Sequence, residues 1–358
     1  MIQRLASFEL PECTSANSFR SSSSSITRQD PQFAGLSNCQ RSAEAVKIEA
    51  ALLTNMSKTQ LSPRSSLAFV GLGALGLPMA ANLLAAGYEL KVHSRSRAAE
   101  QNLALKGSRP CSSPAEAAAD SQALLICVSD DEAVEAVLFG SQGAASMLSS
   151  GAVVVDFSTI APATSITLAE RLAQQGVTYL DAPVTGGTEG ARAGTLTVLV
   201  GGNTQALERV QPLLEVFGES IHHFGSVGRG QQVKALNQVL VAGSYAALAE
   251  AIALGQQLGL PMQEVITALQ NGAAGSWALQ HRSTAMLEDH YPLGFKLSLH
   301  HKDLGIALET AERVGLQLPI TSKVKAMEEH LIEHGHSEED VSVLRRWFDH
   351  QQAEAQQS

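Results

Sequence analysis

Short apolar runs alternate with helix-forming stretches along the chain from residue 63 to residue 225. The apolar runs cover residues 67–70, 89–94, 123–128, 152–157, 178–182, 196–200 and 221–224. Most are continuous, which is typical of strands that are buried on both faces of a parallel sheet. Helix-forming stretches separate them, at 78–86, 114–119, 131–138, 162–174 and 204–217. The pattern predicts an α/β domain over 63–225 with a mainly parallel, doubly wound sheet.

The pattern changes after Gly230. Residues 231–258 are rich in Ala and Leu and contain no proline, which predicts a helix too long for an ordinary crossover between strands. The residues beyond it are typical of helices, interrupted at 259–261, 271–272 and 315–319. We therefore expect an all-helical domain over 226–350, joined to the sheet by the long helix, and a disordered tail over 351–358.

The first 62 residues have no sustained hydrophobic period and include five consecutive serines, Ser21 to Ser25. Their apolar stretches are too short for a secretory signal peptide. Three interpretations stay open. The segment is an organellar transit peptide, or a disordered extension, or it is not translated because the true start is Met56. A transit peptide would direct the protein to a chloroplast or mitochondrion, and the other two leave it in the cytoplasm.

The net charge restricts the classes of binding partner, and the cysteine content restricts the cellular compartment. The net charge of −10 argues against general attraction to nucleic acid or to anionic membranes. No uninterrupted apolar run approaches the ~20 residues that span a bilayer. The four cysteines form no C-x-x-C pair, which is typical of a reducing compartment. We expect a soluble protein that binds a small-molecule substrate and assembles as a homodimer or homotetramer.

Three glycines follow the first predicted strand, at Gly71, Gly73 and Gly76. In a G-x-G-x-x-G turn between strand and helix, the first glycine permits the turn and the second lets the backbone approach a pyrophosphate. The third lets the helix pack against the strand. Free N–H groups at the helix start face the phosphates. The sequence predicts dinucleotide binding by the residues of this turn, Gly71, Leu72, Gly73, Ala74, Leu75 and Gly76.

The end of the second predicted strand bears on the identity of the dinucleotide. NAD-binding units usually place a carboxylate about 20 residues past the first glycine, where it binds the ribose 2′-hydroxyl. This chain has Ser94, Arg95 and Ser96 there, and no acid before Glu100. A guanidinium with small hydroxyls favours a 2′-phosphate instead. We expect NADP (NADPH) to be preferred, with Arg95 as the main contact and NAD also possible.

A polar cluster lies near the start of the long predicted helix. Lys234, Asn237 and Gln238 share one face of an otherwise apolar helix. Hydride transfer to a carbonyl needs an acid that protonates the developing alkoxide, and a desolvated lysine has a pKa low enough for this. Lys234 is therefore a candidate catalytic acid, although an isolated lysine is more often a surface residue.

Several separated blocks resemble the β-hydroxyacid dehydrogenase family, which includes 3-hydroxyisobutyrate dehydrogenase, tartronate semialdehyde reductase and glyoxylate/succinic semialdehyde reductase. The blocks stand in family order and cover nearly all of residues 66–350. They are residues 69–76, 156–162, 181–187 and 194–197, the helix that carries Lys234, and residues 301–304. The resemblance implies a Rossmann-type domain followed by the helical domain, with the site between them.

The resemblance also implies a role for each matching residue. Lys234 is the general acid/base. The implied substrate contacts are Thr185, Gly186, Gly187, Asn237 and Gln238. The implied cofactor contacts outside the glycine turn are Val128, Ser129, Thr159 and Lys302. The chain departs from the family at Thr185, where serine is more common, and at Ala74 and Leu75, where methionine is more common.

Other functions fit the sequence less well. His330, His334 and His336 have spacing that suits a metal, but no glutamate base lies between paired histidines in the metalloprotease order, so we expect no metal site. A non-catalytic NADP-binding module or an imine reductase would not require Lys234. We expect NADPH-dependent reduction of tartronate semialdehyde (2-hydroxy-3-oxopropionate), glyoxylate or succinic semialdehyde, with 3-hydroxyisobutyrate oxidation as the alternative.

Overall fold

The computed structural model describes residues 60–357, with side chains for residues 60–351. The expectations for the N-terminal 62 residues therefore lie outside the described residues, except at 60–62. There, Leu61 is buried, and its backbone N–H donates to the Arg209 carbonyl.

A nine-stranded sheet forms the first part of the described chain, in the order β3-β2-β1-β4-β5-β6-β8-β7, with β9 paired to β8. All pairs from β3 to β6 are parallel, whereas β8 runs antiparallel to β6 and β7. The strands are β1 Leu67–Val70, β2 Leu90–His93, β3 Arg109–Pro110, β4 Ala123–Ile126, β5 Val153–Asp156, β6 Thr178–Asp181, β7 Val184–Thr185, β8 Leu196–Gly202 and β9 Gly218–His223. The predicted, mainly parallel sheet is confirmed.

Helices cover both faces of this sheet and form the rest of the protein. Those between the strands are α1 Gly76–Ala85, α2 Arg97–Ala104, α3 Pro114–Ala118, α4 Asp131–Phe139, α5 Pro162–Ala173, α6 Gly187–Ala193 and α7 Thr204–Leu214. Those after the sheet are α8 Arg229–Gln257, α9 Met262–Leu269, α10 Trp277–Leu287, α11 Leu297–Glu312, α12 Pro319–Glu333 and α13 Arg345–Gln357. Short 3-10 turns lie at Ala145–Met147 and Val341–Leu344.

The apolar strands explain why the sheet is covered on both sides. Every residue of β1, β4 and β5 is buried, so both pleat faces need an apolar partner. One buried cluster includes Phe69, and the other, on the opposite face, includes the neighbouring Val70. A third cluster fills the helical part.

Helix α8 passes from the sheet into the helical part. It packs on β8 at its start and on α10, α11, α12 and α13 along its length. Among the described residues it is the one helix long and apolar enough to cross a membrane. Nearly half of its most apolar window is buried inside the protein, which is typical of a core helix.

The structure corrects the expectation of a disordered tail over 351–358. Helix α13 continues to Gln357. Its first turn is fixed by Arg345, which bonds to Asp349 one turn along at 2.7 Å and to Gln256 of α8 at 2.6 Å. An anchored first turn followed by good helix formers lets the helix extend past its packed segment.

Candidate active site

The glycine turn joins β1 to α1, and it leaves no room for side chains at Gly71 and Gly76. Gly71 has a φ of +99°, and a Cβ there would lie 2.1 Å from the Cys127 carbonyl oxygen. A Cβ at Gly76 would lie 2.0 Å from the Gly71 oxygen. Gly73, in contrast, has open space around its Cβ position, and no side chain caps the start of α1. The turn therefore leaves backbone N–H groups and space for a pyrophosphate at Gly73.

The loop after β2 lies beside this turn. The Leu72 N–H lies 3.4 Å from Ser94 Oγ, which ties the glycine turn to the loop. Arg95 and Ser96 are exposed. Among the described residues, Arg95 has no hydrogen-bond or ion-pair partner within the protein. Its charge is one of those that lower the pKa of the Asp130 carboxylate, but its guanidinium makes no direct hydrogen bond.

Glu100, the first acid after the second strand, is held inside the fold. It is 1% exposed, and its carboxylate accepts the Ser94 N–H at 2.7 Å. Arg97 pairs with the same carboxylate at 2.8 Å and donates to the Cys111 carbonyl. The nearest acid is thus neutralised inside the fold, and the second arginine of the loop is already engaged.

A hydrogen-bonded frame surrounds the ends of β4 and β5. The Val128 N–H donates to Ser158 Oγ at 3.0 Å, and the buried Gln231 of α8 donates to the Ser158 carbonyl at 2.8 Å. Ser129 follows Val128 and donates to Asp130, the side chain that caps α4. The frame joins the ends of two adjacent strands to the first turn of α8. Doubly wound sheets bind their ligands at the carboxyl ends of such strands.

Lys302 connects the helical part to the sheet. Its Nζ donates to the Thr159 carbonyl and pairs with Asp303 at 2.8 Å. Thr159 directly follows Ser158 of the frame. The sequence-predicted residues Val128, Thr159 and Lys302 therefore lie in one connected region.

Asp181 fixes the start of α8. The residue is fully buried at the end of β6, and its two carboxylate oxygens accept the N–H groups of Gly228 and Gln231 at 2.8 and 2.9 Å. A carboxylate at a helix N-terminus satisfies free donors and complements the helix dipole. This contact sets the position of Lys234, one turn further along α8.

Lys234 points into the protein. The residue is 8% exposed, and its Nζ donates to the Val184 carbonyl of β7 at 2.9 Å. Burial, opposed by the charge of Asp303 and assisted by that of Lys302, lowers the pKa of Lys234 to about 8. An ammonium with such a pKa can give up its proton near neutral pH, as a general acid must.

The two amides that follow Lys234 continue the polar face of α8. Asn237 Nδ2 donates to Gln238 Oε1 at 2.7 Å, and Gln238 Nε2 donates to Asp303 at 2.7 Å. Gln238 is 1% exposed, whereas Asn237 is half-buried. Gln238 is therefore engaged in holding Asp303, and Asn237 is the more accessible of the two amides.

The turn Thr185-Gly186-Gly187 begins next to the Lys234 contact, because Val184 is its preceding residue. Gly186 and Gly187 have φ values of +127° and +64°, which a side chain would strain. Thr185 is half-buried and Gly186 exposed. The turn thus begins at the residue after Val184, whose carbonyl accepts from Lys234 at the end of β7.

An ion-pair chain holds this turn against the helical part. Glu189 of α6 pairs with Arg282 of α10 at 2.6 Å, and Arg282 lies 3.5 Å from Asp340. The sequence analysis assigned no functional role to this row of ion pairs, nor to Asp181, Gln231 and Asp303. Asp181 and Asp303 lie within the sequence blocks that resemble the family, and this was the one sequence feature that could have identified them as part of the site.

Two family models match the chain. A model described as the NAD binding domain of 6-phosphogluconate dehydrogenase matches residues 66–225. A model described as NAD-binding of NADP-dependent 3-hydroxyisobutyrate dehydrogenase matches residues 228–348. Together they cover the sheet and most of the helical part.

Individual relatives agree with the family models. The 2-hydroxy-3-oxopropionate reductase of Escherichia coli (strain K12) is 37% identical over 278 residues, or 78% of this chain and 95% of the relative. The 2-(hydroxymethyl)glutarate dehydrogenase of Eubacterium barkeri is 35% identical over 281 residues, or 78% and 93%. A crystal structure of 3-hydroxyisobutyrate dehydrogenase from Salmonella typhimurium is 30% identical, with a TM-score of 0.73 over 78% of this chain and 98% of the other.

Proposed function

The chain belongs to the β-hydroxyacid dehydrogenase family and is an NAD(P)-dependent oxidoreductase, and from that membership we propose that it uses NADPH to reduce a small aldehyde that bears a carboxylate. The proposed substrates are tartronate semialdehyde, glyoxylate and succinic semialdehyde. The observation that carries the proposal is the buried Lys234, with its lowered pKa, beside the turn 185–187.

Lys234 is proposed as the general acid. NADPH, held by the glycine turn 71–76, would supply a hydride for the carbonyl carbon. Lys234 Nζ would donate its proton to the carbonyl oxygen, where negative charge develops as the hydride arrives. Asp303 keeps the ammonium protonated near neutral pH, and Lys302 and burial make it acidic enough to release the proton.

The turn 185–187 is proposed to hold the substrate carboxylate. The Thr185 hydroxyl and the backbone N–H groups at Gly186 and Gly187 are suitable donors for an anion. Asn237, on the accessible side of the α8 face, would orient the rest of the substrate, with Gln238 behind it. These contacts would fix the carbonyl beside Lys234 and so favour aldehydes that carry an acid group.

The glycine turn and the loop after β2 are proposed to bind the NADPH phosphates. The turn offers free N–H groups around Gly73. Arg95 makes no direct hydrogen bond or ion pair among the described residues, whereas Arg97 is held by Glu100. Arg95, with Ser94 and Ser96, would therefore contact the 2′-phosphate. Val128, Ser129, Thr159 and Lys302 would line the site toward the nicotinamide.

Self-association is part of the proposal. Leu236, Leu240 and Leu254 of α8, and Leu258 directly after its last residue, are 61 to 72% exposed. Leu254 lies 18 residues after Leu236, which is five turns of about 3.6 residues, so the four share one helix face. Such a face on a monomer favours a homodimer or homotetramer. Light scattering is expected to give two or four times the chain mass, and a chain that stays monomeric at micromolar concentration would contradict this.

A substrate panel tests the proposed activity. Tartronate semialdehyde, glyoxylate and succinic semialdehyde are assayed with NADPH and NADH, and 3-hydroxyisobutyrate is assayed with NADP in the opposite direction. Glycolaldehyde serves as the matched control for glyoxylate because it lacks the carboxylate.

We expect at least one carboxylated aldehyde to be reduced with NADPH far more efficiently than glycolaldehyde. Efficient turnover of 3-hydroxyisobutyrate alone would favour the alternative substrate. Equal efficiency with and without the carboxylate would contradict the role of the turn 185–187.

A further inference from the structure

Three imidazole rings converge where the end of α12 meets α13, a region that takes no part in the contacts around Lys234. His330 lies in the last turn of α12, His334 follows that helix, and His350 lies on α13. One ring nitrogen of each lies within 4.8 Å of those of the other two. The ring centroids are 4.1 to 5.5 Å apart. Three potential donors of one chemical type therefore lie close together.

The separation of two of these nitrogens suits a shared ion. His330 Nε2 and His350 Nδ1 are 3.2 Å apart. Two nitrogens that each lie ~2.0–2.1 Å from a tetrahedral zinc ion are about 3.3–3.4 Å from each other. The observed spacing needs only a small adjustment of the two rings to hold one ion between them.

A backbone contact prepares the third ligand. His334 Nδ1 lies 2.7 Å from the His330 carbonyl oxygen, so this nitrogen carries the proton and donates it there. Its Nε2 is then the unprotonated nitrogen. Metal-binding histidines generally fix their second nitrogen in this way, through a carbonyl or carboxylate. This contact is an observation separate from the distances between the rings, and it leaves the lone pair on His334 Nε2 available for a metal ion.

The charges around the cluster favour a cation. His330 and His334 stand at the C-terminal end of α12, where the helix dipole is negative.

His336 is close to the cluster but is engaged elsewhere. Its Nδ1 lies 2.7 Å from a Glu339 carboxylate oxygen, and Arg346 contacts the same nitrogen. The donor set therefore differs from the triplet 330, 334 and 336 suggested by sequence spacing. His350 replaces His336, because α13 folds back along α12.

We propose that His330, His334 and His350 bind one divalent transition-metal ion of the zinc class through three imidazole nitrogens, with water in the fourth position. Imidazole ligands select zinc, nickel and copper over magnesium and calcium. His334 is exposed, so the ion has a path from solvent. The ion would cross-link α13 to α12 and so clamp the C-terminal helix.

Zinc chloride titrated into the untagged protein, followed by calorimetry, tests this site. The variants are His350→Ala and His334→Ala, because both residues lie at the surface edge of the cluster and their loss leaves the core intact. His336→Ala is the matched control beside the cluster, and His222→Ala is a control on the exposed strand β9.

We expect one zinc ion per chain in the wild type. Each ligand variant is expected to raise Kd at least about 10-fold, since even the loss of a group that only orients a ligand costs 10- to 100-fold. Both controls are expected to keep the wild-type Kd. Zinc should raise the Tm of the wild type and of His336→Ala, but not of His350→Ala.

Three results would each overturn the proposal. They are no zinc binding by the wild type, a wild-type Kd for zinc in His350→Ala and His334→Ala, or a loss of zinc affinity in His336→Ala as large as that in the two ligand variants. The Tm measurement uses neither NADPH nor substrate, so its outcome does not depend on the proposed enzymatic activity.

Discussion

The first turns of α8 and the loop after β2 serve one proposed reaction but are built in opposite ways. Around Lys234 the lysine itself, Gln238, Asp181 and Asp303 are buried, and hydrogen bonds within the protein hold them in place. In the loop after β2, Arg95 and Ser96 are exposed, and Arg95 makes no direct hydrogen bond or ion pair among the described residues. The first region is organised by the protein itself, and the second is left open for a ligand.

This difference has consequences for both chemistry and specificity. Burial shifts the pKa of Lys234 toward neutrality, which an exposed lysine does not achieve. An exposed arginine, in contrast, keeps its charge and can bind or release a phosphate without rearranging the core. Changes near Lys234 should therefore alter the rate of the reaction, and changes at Arg95 should alter the choice of cofactor.

Replacing Lys234 with methionine should have the largest effect. Methionine keeps the length and apolar stem but cannot donate a proton, so we expect kcat to fall about 1,000-fold. The Kd for NADPH, measured by fluorescence titration, should change little. Lys296→Met, at a lysine that pairs with Glu338 outside the site, is the matched control.

The same substitution provides a check on folding. The pKa of Lys234 lies below its value in the unfolded chain, so burial of the charged form costs stability below pH 8, and that cost disappears as pH rises from about 8 to 10.5. Lys234→Met should therefore have a higher Tm than the wild type at pH 7. A kcat close to wild type in this stable variant would remove Lys234 from the mechanism.

Charge reversal at Arg95 should change specificity and leave the reaction rate with NADH intact. Arg95→Glu removes a charge-assisted contact and adds repulsion, so the ratio of kcat/KM for NADPH to that for NADH should fall about 100-fold. Arg97→Gln is the matched control, because Arg97 is already held by Glu100. An unchanged ratio in Arg95→Glu would show that another residue contacts the 2′-phosphate.

Loss of the Thr185 hydroxyl should have a smaller effect. Thr185→Val keeps the shape of the side chain but removes one donor to the substrate carboxylate, so KM for the aldehyde should rise about 10-fold with a modest change in kcat. Thr178→Val, at the start of β6 and so at the other end of that strand from Asp181, should leave KM unchanged. If Thr185→Val affects glycolaldehyde as much as glyoxylate, the hydroxyl does not bind the carboxylate.

Hydrophobic patterning was sufficient for most of the fold. The long strands and α8 were predicted because each has a continuous apolar run or a long stretch of helix formers. The two-residue strands β3 and β7 were missed because they are too short to show a period. Helix α6 was missed because Gly187 and Gly190 lower its helix propensity.

Local sequence patterns singled out parts of the candidate site only where its residues lie close together in sequence, and Val128, Thr159 and Lys302 followed from the family resemblance alone. Lys234, Asn237 and Gln238 stand within two helical turns, and the glycine turn is contiguous. The contacts that hold Lys234 in place join residues far apart, such as Asp181 with Gln231 and Gln238 with Asp303. Such contacts follow from how β6, α8 and α11 pack together, which local patterns do not encode.

The most direct test of the account is the pH dependence of kcat/KM for aldehyde reduction at saturating NADPH. This parameter reports the ionisation of the form that binds the aldehyde. Lys234 must be protonated to act as the acid, and its pKa is about 8. We predict a constant kcat/KM below pH 8 and a fall of about tenfold per pH unit well above it. A value that stays constant to pH 10 would contradict the assignment of Lys234 as the proton donor.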